Sequence, residues 1–148
     1  MAEHSYWVAV ITGMLCNMKG LESSIYVMHA LYHDMEEAIT GDLPSPVKRG
    51  RSWKDVELAA FNEITGRKAT KLEIDEGIHR VVKMADTVAA LIVADEEVKM
   101  GNTFFTQIRA ELIYAAFYYK DKELNDLLFE LGFWCDDGME PIIEMSHL

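Results

Sequence analysis

His33 and Asp34 stand side by side in the stretch LYHDMEEAITGDLPSPVKR, with Glu36 and Glu37 just after them. An imidazole beside a carboxylate is a ligand pair for a first-row divalent metal, and a nearby glutamate can move protons for the chemistry such a metal promotes. On a helix turning about 100° per residue, Glu37 projects between His33 and Asp34, whereas Glu36 points away and reads as a solvated charge. His29, one turn before His33, is a partly exposed flank residue on this reading. Two more polar residues interrupt otherwise apolar helices and answer the pair: His4 near the start, and Asp86 far along the chain. His4, His33, Asp34 and Asp86 together form a mixed nitrogen and oxygen set suited to Mn²⁺, Fe²⁺, Co²⁺ or Zn²⁺. Such an ion lowers the pKa of water toward neutrality, which is the chemistry of hydrolysis.

Helical elements must bring these residues together. Ala2 to Asn17 carries Trp7, Val8, Ile11, Met14 and Leu15 at helical spacing, and His4 shares a face with the first three. A lone histidine there is more often a satisfied core residue than a ligand. Glu22 to Ile39 predicts the second helix, stopped at Thr40-Gly41. Asp42, Leu43, Pro44, Ser45 and Pro46 then form a loop stiffened by two prolines, able to lie against a ligand. Lys48, Arg49 and Arg51 follow as the densest basic patch, with Arg49 and Arg51 read as solvated. Ser52 caps a third helix over Trp53 to Thr65, and the fourth runs from about Lys71 to Met100. Val81 to Ala94 is apolar almost all round, interrupted only by Lys83, Asp86 and Thr87. A carboxylate in such surroundings needs a metal or a counter-charge, and Lys83 is the alternative partner for Asp86. Thr103 to Tyr119 and Asp121 to Gly132 complete the helices, and Phe133 to Leu148 forms a tail. The fold class is all-α, a bundle of about six helices in one domain spanning residues 1–148.

Composition narrows the partners. A net charge of −11 argues against a nucleic-acid polymer or an anionic membrane as the main partner, since both call for a broad basic surface. It leaves room for a single nucleotide held by a few local lysines. Cys16 and Cys135 are far apart and lack CxxC spacing, which fits a reducing, cytoplasmic setting. No apolar run approaches the roughly 20 residues that cross a bilayer.

Three segments, AEHSYWVAV, LYHDMEEAITGDLPSPVK and KMADTVAALIVADEEVKMGN, resemble those of the HD-domain phosphohydrolases. They look most like the bacterial 5′-deoxynucleotidase branch, and are similar also to the phage dATP triphosphohydrolases. The likeness covers about the first 110 residues, and the TGD-x-P-[ST]-P-x-K loop motif is more specific than the bare HD dipeptide. It implies an HD-domain helical bundle with His4, His33, Asp34 and Asp86 as metal ligands and Glu37 as catalytic acid. It further implies that Asp42 to Ser45 lie along the deoxyribose, where a 2′-hydroxyl does not fit, and that Lys48 and Lys83 hold phosphate. The activity implied is hydrolysis of the 5′-phosphate ester of a 2′-deoxynucleotide, monophosphate or triphosphate, by a homo-oligomer, dimer or hexamer. Members carry an Arg-Trp pair ahead of the first motif; with Met1 three residues before His4, either the start is truncated or misassigned or another element supplies those contacts. The alternatives are a metal-stabilised nucleotide-binding module without catalysis, and a helical interaction protein whose polar core residues pair with one another.

Overall fold

The structure is a computed structural model and describes residues 2–35, 56, 59–60, 62–63 and 75–135. Helix α1 (Ala2–Lys19) buries Val8, Ile11, Leu15 and Cys16, three and four residues apart and therefore on one face. It stops at Gly20, whose φ of +67° lets the Leu21 N–H turn back to the Cys16 carbonyl at 2.9 Å.

Helix α2 (Ser24–Tyr32) begins where the Glu22 carboxylate accepts the Ser24 N–H at 3.1 Å. Periodicity predicts one helix over 22–39, but helical bonding ends at Tyr32. His33 to Met35 form a turn, closed by the Met35 N–H on the Tyr32 carbonyl at 3.1 Å. The physical reason sits at Ala30. Its carbonyl accepts from His33 Nδ1 at 2.6 Å, in competition with the main-chain donor that a continuing helix would bring there. Val56, Ala59, Ala60, Asn62 and Glu63 are helical, within the interval where the sequence predicts its third helix.

Helix α3 (Glu76–Lys99) starts later than the Lys71 expected from periodicity. Asp75 has non-helical backbone angles, and its carboxylate accepts the Gly77 N–H at 2.8 Å, which fixes the first turn. The helix then buries Val81, Val82, Met84, Ala85, Val88, Ala89 and Leu91. Helix α4 (Phe105–Tyr118) and helix α5 (Lys122–Glu130) follow, the latter capped by Asp121 accepting from the Leu124 N–H at 3.0 Å.

Helix α3 packs against α1, α2 and α4, while α5 closes over α1 and α4. One apolar cluster joins them, with Leu15, Met84, Leu91, Leu124, Leu127 and Leu128 fully buried. Burying each such side chain contributes about 1.5–3 kcal/mol, so this shared core fixes where α1 and α2 sit against the middle of α3. No strand is present among the described residues, and the fold is the all-α bundle expected from the sequence. No helix among the described residues is long and apolar enough to cross a membrane.

Candidate functional site

Three of these helices bring their polar exceptions to one place. His4 projects from the first turn of α1, and its Nε2 lies 2.9 Å from Asp86 Oδ1. His33 and Asp34 occupy the turn that ends α2, with His33 Nε2 2.9 Å from Asp34 Oδ2 and 3.7 Å from Asp86 Oδ1. The two imidazole rings stand 5.7 Å apart, tilted by 52°. Asp86 comes from the middle of α3, at the edge of its buried face. It also meets the alternative partner named for it: Lys83 Nζ lies 3.4 Å from Oδ2. The lysine takes one carboxylate oxygen and the histidines share the other.

His33 is the most enclosed of the four, its side chain 10% exposed. A carbonyl oxygen only accepts, so its bond to Ala30 fixes Nδ1 as the protonated nitrogen. Nε2 therefore carries the lone pair of the neutral ring, in the tautomer that a metal-ligating histidine needs. That nitrogen is buried and makes no hydrogen bond. Asp34 Oδ2 and Asp86 Oδ1 lie 2.9 and 3.7 Å from it and favour a positive charge there. A buried polar atom left in this way calls for an explanation. An ion supplies one: His4, His33 and Asp34 each offer a ligand atom, all within 4.8 Å of one another. With Asp86 Oδ1 against both imidazoles, the donor set fits a divalent metal of the borderline class.

The electrostatics agree with the geometry. Burial works against a charge on His33, but the Asp34 and Asp86 carboxylates outweigh it and push the imidazole up to about 10. Burial likewise opposes ionisation of Asp86, yet His33, His4 and Lys83 hold it well below the usual carboxylate range. The metal-free site thus keeps a proton where an ion would sit.

Of the residues singled out from sequence, the structure gathers His4, His33, Asp34, Lys83 and Asp86, and His29 is not in the group. Glu37, Asp42, Leu43, Pro44, Ser45 and Lys48 lie outside the described residues. Two residues beside the site were given no role by sequence reasoning. Thr87 donates to the Lys83 carbonyl at 3.0 Å, and the Tyr119 hydroxyl lies 3.5 Å from Thr87 Oγ1. Thr87 was visible as a polar break in the apolar run of α3. Tyr119, at the far end of α4, carried no signal in its spacing.

The family model for 5′-deoxynucleotidase YfbR-like proteins matches residues 1–127, a span that takes in all four clustered residues. The chain is 31% identical over 134 residues to the 5′-deoxynucleotidase yfbR of Photorhabdus temperata, covering 76% of this chain and 68% of that protein. It is 30% identical, with the same coverage, to the 5′-deoxynucleotidases of Yersinia pestis (strain Pestoides F) and Yersinia pseudotuberculosis serotype O:3 (strain YPIII). The family implies a divalent metal, and the residues that meet at the ends of α1 and α2 and the middle of α3 are able to hold one. The chain belongs to the 5′-deoxynucleotidase YfbR-like family of HD-domain proteins.

Proposed function

We propose that this protein hydrolyses the 5′-phosphate ester of 2′-deoxynucleotides, with His4, His33, Asp34 and Asp86 holding one divalent transition metal. The observation that carries the reading is the buried, hydrogen-bond-free Nε2 of His33, facing Asp34, Asp86 and His4 from three helices. The metal is Mn²⁺, Fe²⁺, Co²⁺ or Zn²⁺. When bound it supplies Lewis acidity, bringing the pKa of water toward 7.

The chain's own residues do the rest. Glu37 orients the attacking water, takes the proton it loses and passes that proton to the departing O5′. The water oxygen bonds to the phosphorus attached to O5′ as the P–O5′ bond breaks. Lys83, already beside Asp86, and Lys48 neutralise charge that develops on the phosphate oxygens. Asp42 to Ser45 pack along the sugar and leave no room for a 2′-hydroxyl. The products are a deoxynucleoside and phosphate, or triphosphate when the substrate carries three phosphates.

We further propose a cytoplasmic homo-oligomer, dimer or hexamer, built from one domain. Both cysteines are free thiols, which suits a reducing compartment. Tyr6, Trp7, Ile25, Met28, Leu31 and Tyr32 are exposed on α1 and α2, an apolar surface of the kind that subunits cover.

The test is direct. Protein stripped with chelator and reloaded with each of the four ions should release phosphate or triphosphate from deoxynucleotides, and much less from ribonucleotides. Protein that binds metal stoichiometrically yet hydrolyses none of them sinks the proposal.

A further inference from the structure

Thr87 follows Asp86 in α3 and has a single hydroxyl hydrogen. Its Oγ1 donates to the Lys83 carbonyl at 3.0 Å. A carbonyl only accepts, so that hydrogen is committed, and the Tyr119 hydroxyl, 3.5 Å away, can bond Oγ1 only as the donor. The two bonds form a chain with a direction, from Tyr119 O–H to Thr87 Oγ1 and from Thr87 O–H to the Lys83 carbonyl. It runs from the end of α4 into the turn of α3 between Lys83 and Thr87, and Asp86 stands within that turn.

Tyr119 is held at other points as well. Its main-chain carbonyl accepts from Arg80 Nη2 at 2.7 Å, and Arg80 Cζ lies 5.6 Å from the centre of its ring. The residue also packs against the apolar core. Arg80 and Thr87 share a face of α3, two turns apart. One residue of α4 thus grips α3 on both sides of Lys83 and Asp86.

Asp86 has little freedom to move if it is to keep its neighbours. Its Oδ1 lies 2.9 Å from His4 Nε2 and 3.7 Å from His33 Nε2, while Oδ2 lies 3.4 Å from Lys83 Nζ. A side-chain tip about 5–6 Å from a helix axis moves about 1 Å for every 10° that the helix turns. Apolar contacts along α3 are non-directional, and a directional bond from α4 adds what they lack. We propose that Tyr119 is a positioning residue of the metal site, acting through Thr87 to fix the turn of α3 that presents Asp86 and Lys83. This rests on the metal-site reading above and adds to it a residue that touches neither ion nor substrate.

The test measures metal affinity by competition with a chromophoric chelator in wild type, T87S, T87V, Y119F and the T87V/Y119F double variant. Y119F loses the outer bond alone and should weaken affinity by about two- to fivefold, the lower range for a neutral hydrogen bond as long as this one. T87V loses both bonds and should weaken it further, whereas T87S keeps both hydroxyl contacts and should restore most of the affinity. Because the outer bond reaches α3 only through Thr87, the double variant should bind no more weakly than T87V. Losses that simply add overturn the proposal, since Tyr119 then does not act through Thr87. Melting temperatures of the metal-free variants are recorded alongside. A Y119F protein that melts lower but binds metal as wild type does also overturns it, because the residue then only supports the fold. Wild type that takes up no ion removes the metal-site reading itself, an outcome distinct from any difference among the variants.

Discussion

A buried imidazole nitrogen between carboxylates can hold a proton or a metal ion but not both, and at His33 the two compete. With that ring pushed up to about 10, an ion arriving at neutral pH displaces a proton. Apparent metal affinity should therefore climb by about tenfold per pH unit as pH rises toward about 10, and level off above it. Calorimetry in buffers of different ionisation enthalpy should count about one proton released per ion at pH 8; no release means that His33 is not a ligand. The sign for the metal-free protein follows from linkage. A raised histidine contributes stability that is complete below about 6.5 and lost as pH rises through about 10, while depressed Asp86 contributes stability lost on acidification. The melting temperature of stripped protein should thus fall from pH 7 to pH 10. Substitutions separate the roles further. Asp86→Asn should weaken metal affinity by more than the roughly 10–100-fold typical of an outer-shell partner, whereas a purely structural pair with Lys83 predicts lost stability with affinity kept. Glu37→Gln should keep the ion and lose about 10²–10⁴-fold in turnover, and unaltered turnover removes its proton role.

The helices place these residues because their ends are fixed, and the ends were only partly legible in the sequence. Apolar spacing was enough to propose α1 and α3, and the polar exceptions His4 and Asp86 stood out against it. The stop of α2 at Tyr32 did not, because it depends on the rotamer by which His33 takes the Ala30 carbonyl, and no periodicity encodes a rotamer. Asp75 and Asp121 were readable as caps only once their carboxylates were seen on the Gly77 and Leu124 N–H groups. Asp121 does a second job, since Lys19 at the end of α1 is drawn onto it and Glu123 at 2.6 and 3.0 Å. Sequence reading assigned no chemistry to α5, and this ion cluster adds to the buried leucines that hold it against α1. Two substitutions divide the two jobs. Asp121→Asn keeps a capping side chain but gives up the charge, at a cost of roughly 2–3 kcal/mol, below the usual figure for a buried pair because Glu123 remains. Asp121→Ala should cost about 1 kcal/mol more through the lost cap. Equal losses in chemical denaturation would show that the cap contributes nothing. Burial alone would raise the Asp121 carboxyl, but Lys19 holds it below its ordinary value. The wild-type advantage over Asp121→Asn should accordingly be present above about pH 4 and vanish as pH falls through the depressed value.

At the scale of the whole molecule, an anionic substrate must approach a protein of net charge −11 to reach cations that occupy a small part of its surface. Two electrostatic effects of opposite sign act at different ranges, and salt separates them. At 0.01 M ionic strength the screening length is about 30 Å, so the substrate feels the whole acidic molecule and is repelled. At 0.1 M it is about 10 Å, which removes most of that repulsion while leaving any contact at the range of a cation such as Lys83 largely intact. At 1 M it is about 3 Å, and the contacts weaken too. The expected course of kcat/KM is therefore a rise from 0.01 to 0.1 M followed by a fall toward 1 M, steeper for triphosphates than for monophosphates because both forces grow with substrate charge. An enzyme steered by a broad basic surface shows only the fall. A monotonic decline measured at constant free metal would mean that the local cations dominate at every distance, and that the acidic remainder of the surface plays no part in how substrate arrives.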